Sequence, residues 1–125
     1  MDVKKVLIVE DDFFIRELYE RALGLHGIAV VTAADGKEAI EVFEREKPNL
    51  VLLDVMLPEI SGMEVLKYIK QKAKENNDVP VVMVSNLDTD ESINEAMRLG
   101  ANGYKVKANS NPVLIAQDVQ QLLNG

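Results

Sequence analysis

Five short, largely apolar segments, separated by longer segments of helical periodicity, constrain the fold of this chain more than any other feature. The apolar segments are residues 5–9, 29–33, 50–53, 81–84 and 103–106. Short apolar runs of this kind are typical of strands buried on both faces of a parallel sheet. Strands that alternate with helices favour an α/β fold. The sequence therefore predicts five βα units in a doubly wound parallel sheet with helices on both faces.

Apolar positions at helical spacing define the buried faces of the first three predicted helices. These positions are Ile15, Leu18, Tyr19, Ala22 and Leu23 in the first helix, Ala39, Ile40 and Phe43 in the second, and Met63, Leu66 and Ile69 in the third. Charged residues of the third helix are predicted to form a mostly solvated surface, made of Lys67, Lys70, Lys72, Lys74 and Glu75. The fourth helix is predicted over residues 90–99, with Gly100 as its cap, and the fifth begins at Pro112.

Composition narrows the possible functions. A chain of 125 residues is expected to form one domain, residues 1–125. The formal net charge of −7 argues against direct DNA binding, which depends on clustered lysine and arginine. The absence of cysteine excludes disulfides and thiolate metal sites, and it is consistent with a cytoplasmic location. Because no apolar run approaches the length of a membrane span, no membrane association is expected.

Polar residues follow the predicted strands at the points where these strands end. Glu10 and Asp11 follow the first strand, Asp54 the third, Ser85 the fourth and Lys107 the fifth. Open α/β sheets bind their ligands at the carboxyl ends of the strands, so we expect these side chains to share one rim. Carboxylate oxygens suit Mg²⁺, and a lysine nearby offsets their repulsion. A nucleophilic oxygen, Mg²⁺ and lysine are the requirements of phosphoryl transfer, with Asp54 as the best nucleophile.

This ordered set of residues resembles the response-regulator receiver domain of two-component signalling, of the stand-alone type, over essentially the whole chain. Glu10 and Asp11 match the family's acid pair, Asp54 its phosphoacceptor, and Lys107 its characteristic lysine. Ser85 and Tyr104 match the switch hydroxyl and switch aromatic, and Pro58 and Gly62 match the loop after the phosphoacceptor. The resemblance implies the strand order 2-1-3-4-5. It also implies a Mg²⁺ site made of Glu10, Asp11, Asp54 and the backbone carbonyl of Met56.

The resemblance further implies a switch rather than an enzyme in the ordinary sense. Asp54 would accept a phosphoryl group from a histidine kinase, a phosphotransfer protein or a small phosphodonor, with intrinsic autophosphorylation and autodephosphorylation only. Phosphorylation would then alter the surface made by the fourth helix, fifth strand and fifth helix, which a downstream protein effector or a second copy would bind. The expected oligomeric state is a monomer or a phosphorylation-dependent homodimer.

Three departures from the family pattern carry expectations of their own. Ala108 stands where the family usually has proline, which predicts either a trans peptide or a rebuilt loop over residues 109–111. Asn86 is larger than the residue usual after the switch hydroxyl, and it would shield or bond the acyl phosphate. Met56 and Leu87 cannot orient an attacking water by hydrogen bonding, which predicts a long-lived phosphorylated form.

Other interpretations stay open at this stage. Asp12 fits the N-cap or first turn of the first helix better than a metal site. Tyr104 fits a plain core aromatic as well as a switch. A pseudo-receiver, which keeps the fold without phosphorylation, is the main alternative function. A haloacid-dehalogenase-type phosphohydrolase would need a second aspartate at the position of Met56.

Overall fold

The computed structural model describes residues 3–73 and 78–124, and within them five strands form one sheet. The strands are β1 (Lys5–Val9), β2 (Ala29–Ala33), β3 (Leu50–Asp54), β4 (Val81–Ser85) and β5 (Gly103–Val106). All neighbouring strands pair in parallel, in the order β2-β1-β3-β4-β5. This order confirms the predicted fold. The third and fourth strands each extend one residue beyond the predicted segment, so that Asp54 and Ser85 end them.

In the part of the chain that the structure describes, five α-helices cover the two faces of the sheet. They are α1 (Phe13–Gly24), α2 (Gly36–Glu46), α3 (Gly62–Ala73), α4 (Asp90–Arg98) and α5 (Pro112–Asn124). Helices α2, α3 and α4 bury one layer of apolar side chains against the sheet, and α1 and α5 bury the other. Each strand contributes alternate residues to the two layers, because successive side chains of a strand point to opposite faces. For this reason β3 is buried at all five positions.

Side-chain caps fix where the helices begin. Asp12 is the N-cap of α1 and accepts hydrogen bonds from the backbone N–H groups of Phe14 and Ile15. Thr89 caps α4 in the same way, through the N–H of Ser92. A side-chain oxygen at this position satisfies donors that the first turn of a helix leaves free. The capping role expected of Asp12 is therefore the one that the structure has.

Two expectations about helix surfaces are wrong. Leu18 was expected on the buried face of α1, but it is 51% exposed. Lys70 was expected on a solvated surface, but its side chain is only 13% exposed. Its Nζ donates hydrogen bonds to the Asn102 side chain at 2.7 Å and to the Val79 carbonyl at 3.0 Å, and it also bonds Asp78. The expectations for Lys74 and Glu75 lie outside the described residues.

The segment after β5 departs from the usual family pattern, as predicted from the presence of Ala108 where the family usually has proline. Residues Lys107–Asn109 form a short 3₁₀ helix, and no peptide bond is cis in the part of the chain that the structure describes. Helix α5 then begins at Pro112, as predicted. In the same described ranges, no helix has both the length and the apolar character needed to cross a membrane.

Candidate functional site

The carboxyl ends of β1 and β3 bring three carboxylates together. The two strands are neighbours, with Val9 paired with Leu53, so Glu10 and Asp54 emerge side by side. Glu10 is 2% exposed and Asp54 5% exposed, whereas Asp11 faces solvent. One carboxylate oxygen from each of the three lies within 4.8 Å of the others. Two of the three negative charges are thus held out of water, which makes the cluster a strong attractor for cations.

Lys107 reaches this cluster from the end of β5. Its Nζ donates hydrogen bonds to Glu10 Oε1 at 2.6 Å and to Asp54 Oδ2 at 3.1 Å. Burial lowers the pKa of Lys107, but the hydrogen bond to Glu10 and the charge of Asp54 outweigh that effect and hold this pKa above its ordinary value of 10.5. The side chain is therefore an ammonium at neutral pH.

The pKa of Glu10 is raised above its ordinary value of 4.5. Burial is the main cause, since a carboxylate loses hydration when it leaves water, and the nearby Asp54 adds to the effect. The hydrogen bonds from Lys107 and from the backbone N–H of Asp12 offset only part of this rise. Burial and the charge of Asp54 therefore outweigh the hydrogen bonds that Glu10 receives.

Arg16 supports Glu10, and sequence reasoning missed it. Its Nη1 donates a hydrogen bond to the Glu10 carbonyl at 2.7 Å, and its guanidinium lies 5.6 Å from the ring centroid of Phe13. The contact joins α1 to the end of β1 and thereby fixes the backbone that carries the acid pair. The sequence does contain a signal for this contact, because Arg16 lies one turn into the helix that follows the acidic residues Glu10 and Asp11.

The loop after Asp54 approaches the aspartate closely. The Met56 N–H donates to Asp54 Oδ1 at 3.0 Å, and the Gly62 N–H donates to the Val55 carbonyl at 2.9 Å. A Cβ at Gly62 would collide with the Asp54 carbonyl oxygen and would lie 2.7 Å from Val55 Cα. Only glycine allows the start of α3 to pack this near the strand. The use of the Met56 carbonyl as a metal ligand stays a prediction.

Ser85 and Tyr104 are linked through one backbone residue. Ser85 is fully buried, and its Oγ accepts a hydrogen bond from the Leu87 N–H at 3.1 Å. The Tyr104 hydroxyl donates to the Leu87 carbonyl at 2.8 Å and lies 3.0 Å from Ser92 Oγ on α4. Hydrogen bonds thus connect the end of β4 to β5 and to α4. Asn86, which follows Ser85, is exposed.

The donor set of the cluster fits Mg²⁺. Glu10, Asp11 and Asp54 offer only oxygen, which hard cations prefer, and the described residues around them place one ammonium beside three carboxylates. A divalent cation would neutralise the charge that Lys107 leaves unbalanced. Chemically, the arrangement combines a carboxylate that can act as a nucleophile, a set of oxygen ligands for a cation and a lysine at one end of the sheet.

Comparison with known proteins gives the same family. The family model of the response regulator receiver domain matches residues 6–118. The probable transcriptional regulator ycf27 of Cyanophora paradoxa is 41% identical over 104 residues, which is 83% of this chain and 42% of that protein. The alkaline phosphatase synthesis transcriptional regulatory protein PhoP of Bacillus subtilis is 38% identical over 104 residues, with the same coverage of both chains. The chain thus spans less than half the length of these relatives.

Solved structures agree with these relatives. A CheY-like receiver domain protein of Methanospirillum hungatei superposes with a TM-score of 0.87 at 28% identity, over 98% of this chain and 95% of that one. The BeF3-activated receiver domain of Klebsiella pneumoniae RstA gives 0.86 at 33% identity, over 98% and 100%. The chain therefore belongs to the response regulator receiver domain family, whose members are regulatory proteins rather than classical enzymes, interact with histidine kinases, and are typically phosphorylated and Mg²⁺-binding.

Proposed function

We propose that residues 1–125 form a single receiver domain that accepts a phosphoryl group on Asp54 from a histidine kinase, a phosphotransfer protein or a small phosphodonor. The observation that carries the proposal is the buried carboxylate of Asp54, which lies beside Glu10 and Asp11 and is hydrogen-bonded by Lys107. A buried nucleophile among charged groups has little structural value of its own. The same arrangement is what phosphoryl transfer to a carboxylate requires.

In the proposed transfer, an oxygen of the Asp54 carboxylate attacks the phosphorus of a phosphohistidine. A new O–P bond forms while the P–N bond breaks, and the imidazole nitrogen leaves with the electron pair of that bond. Lys107 and the Met56 N–H hold the two Asp54 oxygens before attack. Mg²⁺, held by Glu10, Asp11, Asp54 and the Met56 carbonyl, would supply positive charge to the phosphoryl oxygens.

The signal would leave the site through Ser85 and Tyr104. A phosphoryl group on Asp54 would attract the Ser85 hydroxyl. In the structure, this hydroxyl accepts a hydrogen bond from the Leu87 N–H. Movement of Leu87 would disturb the bond from Tyr104 to the Leu87 carbonyl and, with it, the contact between Tyr104 and Ser92. The expected result is a change in the surface made by α4, β5 and α5, where a downstream protein effector would bind.

The phosphorylated form is proposed to be long-lived. Hydrolysis of an acyl phosphate needs a water in line with the O–P bond, and a polar side chain near the site speeds this step by orienting the water. Met56 and Leu87 are exposed at the rim, 55% and 37% respectively, and neither offers a donor or an acceptor in its side chain beyond a weak thioether. Autodephosphorylation would therefore be slow.

The expectations on partners and location remain part of the proposal. The net charge of −7 supports the absence of direct DNA contact by residues 1–125. The word "transcriptional" in the relatives' names applies to proteins of more than twice the matched length. A cytoplasmic location agrees with a family that interacts with histidine kinases and with the absence of cysteine.

Intact mass spectrometry after incubation with acetyl phosphate tests the proposal. We expect a gain of one phosphoryl group in the presence of Mg²⁺, no gain with a chelator, and no gain in Asp54→Asn. Glu41→Gln removes an exposed carboxylate from α2 and should gain phosphate like the unmodified protein. Absence of phosphate under every condition would favour the pseudo-receiver. Phosphate on Asp54→Asn would place the acceptor elsewhere.

A further inference from the structure

The first residue of α2, Gly36, lies against the β3–α3 loop (residues 55–61), which carries the predicted Mg²⁺ ligand Met56. Gly36 is buried, and a Cβ at its position would lie 2.9 Å from Ile60 Cβ, 2.9 Å from the Ile60 carbonyl oxygen and 3.1 Å from Val65 Cγ2. Carbon atoms in contact are normally about 3.5 to 4.0 Å apart. Because the Ile60 carbonyl and Cβ move only with the backbone, rotation of a side chain cannot relieve this contact.

The start of α2 is poorly able to move away from the loop. Its N-cap, Asp35, accepts a hydrogen bond from the Glu38 N–H at 2.8 Å, and the Glu38 side chain accepts one from the Ala34 N–H at 2.6 Å. Reciprocal bonds of this kind fix the entry of the chain into a helix. On the other side of the contact, Val65 is fully buried in the first turn of α3. A side chain at Gly36 would therefore displace the β3–α3 loop.

The β3–α3 loop is too stiff to absorb such a displacement between Ile60 and Met56. Pro58 has a fixed φ, its carbonyl accepts a hydrogen bond from the Ile60 N–H at 2.8 Å, and Glu59 has a φ of 66°. A residue with a side chain adopts this left-handed conformation at a cost in free energy, so the surrounding contacts must impose it. A single residue separates this turn from Met56. A shift at Ile60 is therefore transmitted to Met56, whose N–H donates to Asp54.

We propose that Gly36 is a positioning residue for the Mg²⁺ site. The absence of a side chain at Gly36 lets Ile60 pack closely against the start of α2. This contact holds the β3–α3 loop where the Met56 carbonyl can join the carboxylates of the cluster as a ligand. The inference rests on the proposed function, which supplies the Mg²⁺ site, and it assigns a role in that site to a residue that contributes no ligand.

Gly36→Ala, with Gly24→Ala as its matched control, tests the proposal. Gly24 ends α1, and a Cβ there would meet no atom within 4 Å. Since alanine favours a helix more than glycine does, helix propensity alone would benefit both variants. Titration of isotope-labelled protein with Mg²⁺, followed by amide resonances, should give an affinity about tenfold weaker in Gly36→Ala and changed less than about twofold in Gly24→Ala. Equal affinities in the two folded variants would overturn the proposal.

Two further measurements separate positioning from a general loss of stability. Without metal, the Met56 amide should exchange its hydrogen faster in Gly36→Ala, and its protection should fall more than that of the β1 amides, because its bond to Asp54 is disturbed. With acetyl phosphate, the rate of phosphorylation should fall at limiting Mg²⁺ and recover at saturating Mg²⁺. A rate that stays low at every Mg²⁺ concentration, or an unchanged Met56 amide, would count against positioning.

Ile60→Ala decides the question if Gly36→Ala does not fold. It shortens the side chain that anchors the loop on the apolar layer, and it adds no atom. Leu99→Ala is its control, because it removes as many carbons from the same layer at the opposite end of the sheet. Ile60→Ala should weaken Mg²⁺ binding more than Leu99→Ala does, and the same affinity in both would contradict the route through the loop.

The unmodified protein separates this inference from the proposed function. If it binds no Mg²⁺ in the same titration, the proposed function fails. Hydrogen exchange of the Met56 amide in the metal-free variants still decides whether Gly36 holds the β3–α3 loop in place.

Discussion

Lys107 brings one positive charge to a site where Glu10, Asp11 and Asp54 bring three carboxylates. Its ammonium is bonded to two of them, so its loss would leave buried negative charge without a partner. Loss of one carboxylate has the opposite consequence, because repulsion among the remaining groups falls. Removal of the Lys107 charge is therefore expected to lower the stability of the fold, and removal of one carboxylate charge is expected to raise it.

The metal-free protein should lose stability in Lys107→Gln, by roughly 2 to 4 kcal/mol, and gain about 1 kcal/mol in Asp54→Asn. Asn keeps one acceptor oxygen, which can serve either Lys107 or the Met56 N–H but not both, and it removes the negative charge. Urea unfolding in the presence of a chelator measures both changes. Glu41→Gln on the exposed side of α2 serves as control and should stay within about 0.5 kcal/mol. A loss of stability in Asp54→Asn would contradict net repulsion at the site.

We expect the side chain of Met56 to influence how long a phosphoryl group on Asp54 would remain. Met56→Asn places an amide at the rim, where it can orient a water toward the phosphorus, and should speed loss of phosphate about tenfold. The decay of phosphorylated protein, followed by intact mass after removal of acetyl phosphate, gives the rate. Met56→Leu keeps an apolar side chain and should decay like the unmodified protein. Equal rates in all three proteins would show that this side chain does not control hydrolysis.

At the scale of elements, the strands were predictable and parts of the helices were not. A strand buried on both faces must be apolar throughout, which is why residues 50–53 identify β3 without any knowledge of its neighbours. Helix surfaces depend on what packs against them. Lys70 lies four residues after the buried Leu66, and therefore on the same side of α3. Its ammonium is tolerated there because it donates a hydrogen bond to Asn102, which is 32 positions away in the sequence. Nothing local in the sequence indicates that pairing.

The contacts of the site were likewise predictable only in part. The rule that parallel strands end at one rim predicted that Glu10, Asp54 and Lys107 would meet. It gave no indication of Arg16, whose partner is a backbone carbonyl, or of the hydrogen bonds through Leu87. Contacts to backbone depend on loop conformation, which residue types alone do not determine.

Tyr104 joins β5 to the β4–α4 loop and to α4, so its hydroxyl should matter for the signal and little for the chemistry. Tyr104→Phe removes the bonds to the Leu87 carbonyl and to Ser92 and should cost about 0.5 to 1.5 kcal/mol. Phosphorylation of Asp54 should proceed at an unchanged rate, whereas phosphate-induced changes in α4 amide resonances should shrink. Ser92→Ala removes only one of the two contacts and should have a smaller effect. An unaltered response of α4 in Tyr104→Phe would exclude this route.

For the whole molecule, the raised pKa of Glu10 links stability to pH. The folded state binds a proton at Glu10 more readily than the unfolded chain does, so this group stabilises the fold fully below pH 4.5 and loses its contribution as pH rises through the raised pKa. The raised pKa of Lys107 acts in the same direction, but its contribution is lost only above pH 10.5. Between neutral pH and pH 4.5, the shifted pKa of Glu10, and not that of Lys107, therefore links stability to pH.

Glu10→Gln isolates this contribution. Without metal, the variant should melt about 1 to 4 °C above the unmodified protein at pH 7, because it lacks the buried charge, and the two should converge as pH falls toward 4.5. Mg²⁺ should reverse the order at pH 7, since binding to the folded state stabilises by RT ln(1 + [Mg²⁺]/Kd) and Gln offers a weaker ligand. The stabilisation by Mg²⁺ should also fade on acidification, because protonated Glu10 no longer attracts the ion. Thermal melts with and without Mg²⁺ across this pH range check each step, and a Mg²⁺ effect independent of pH would remove Glu10 from the site.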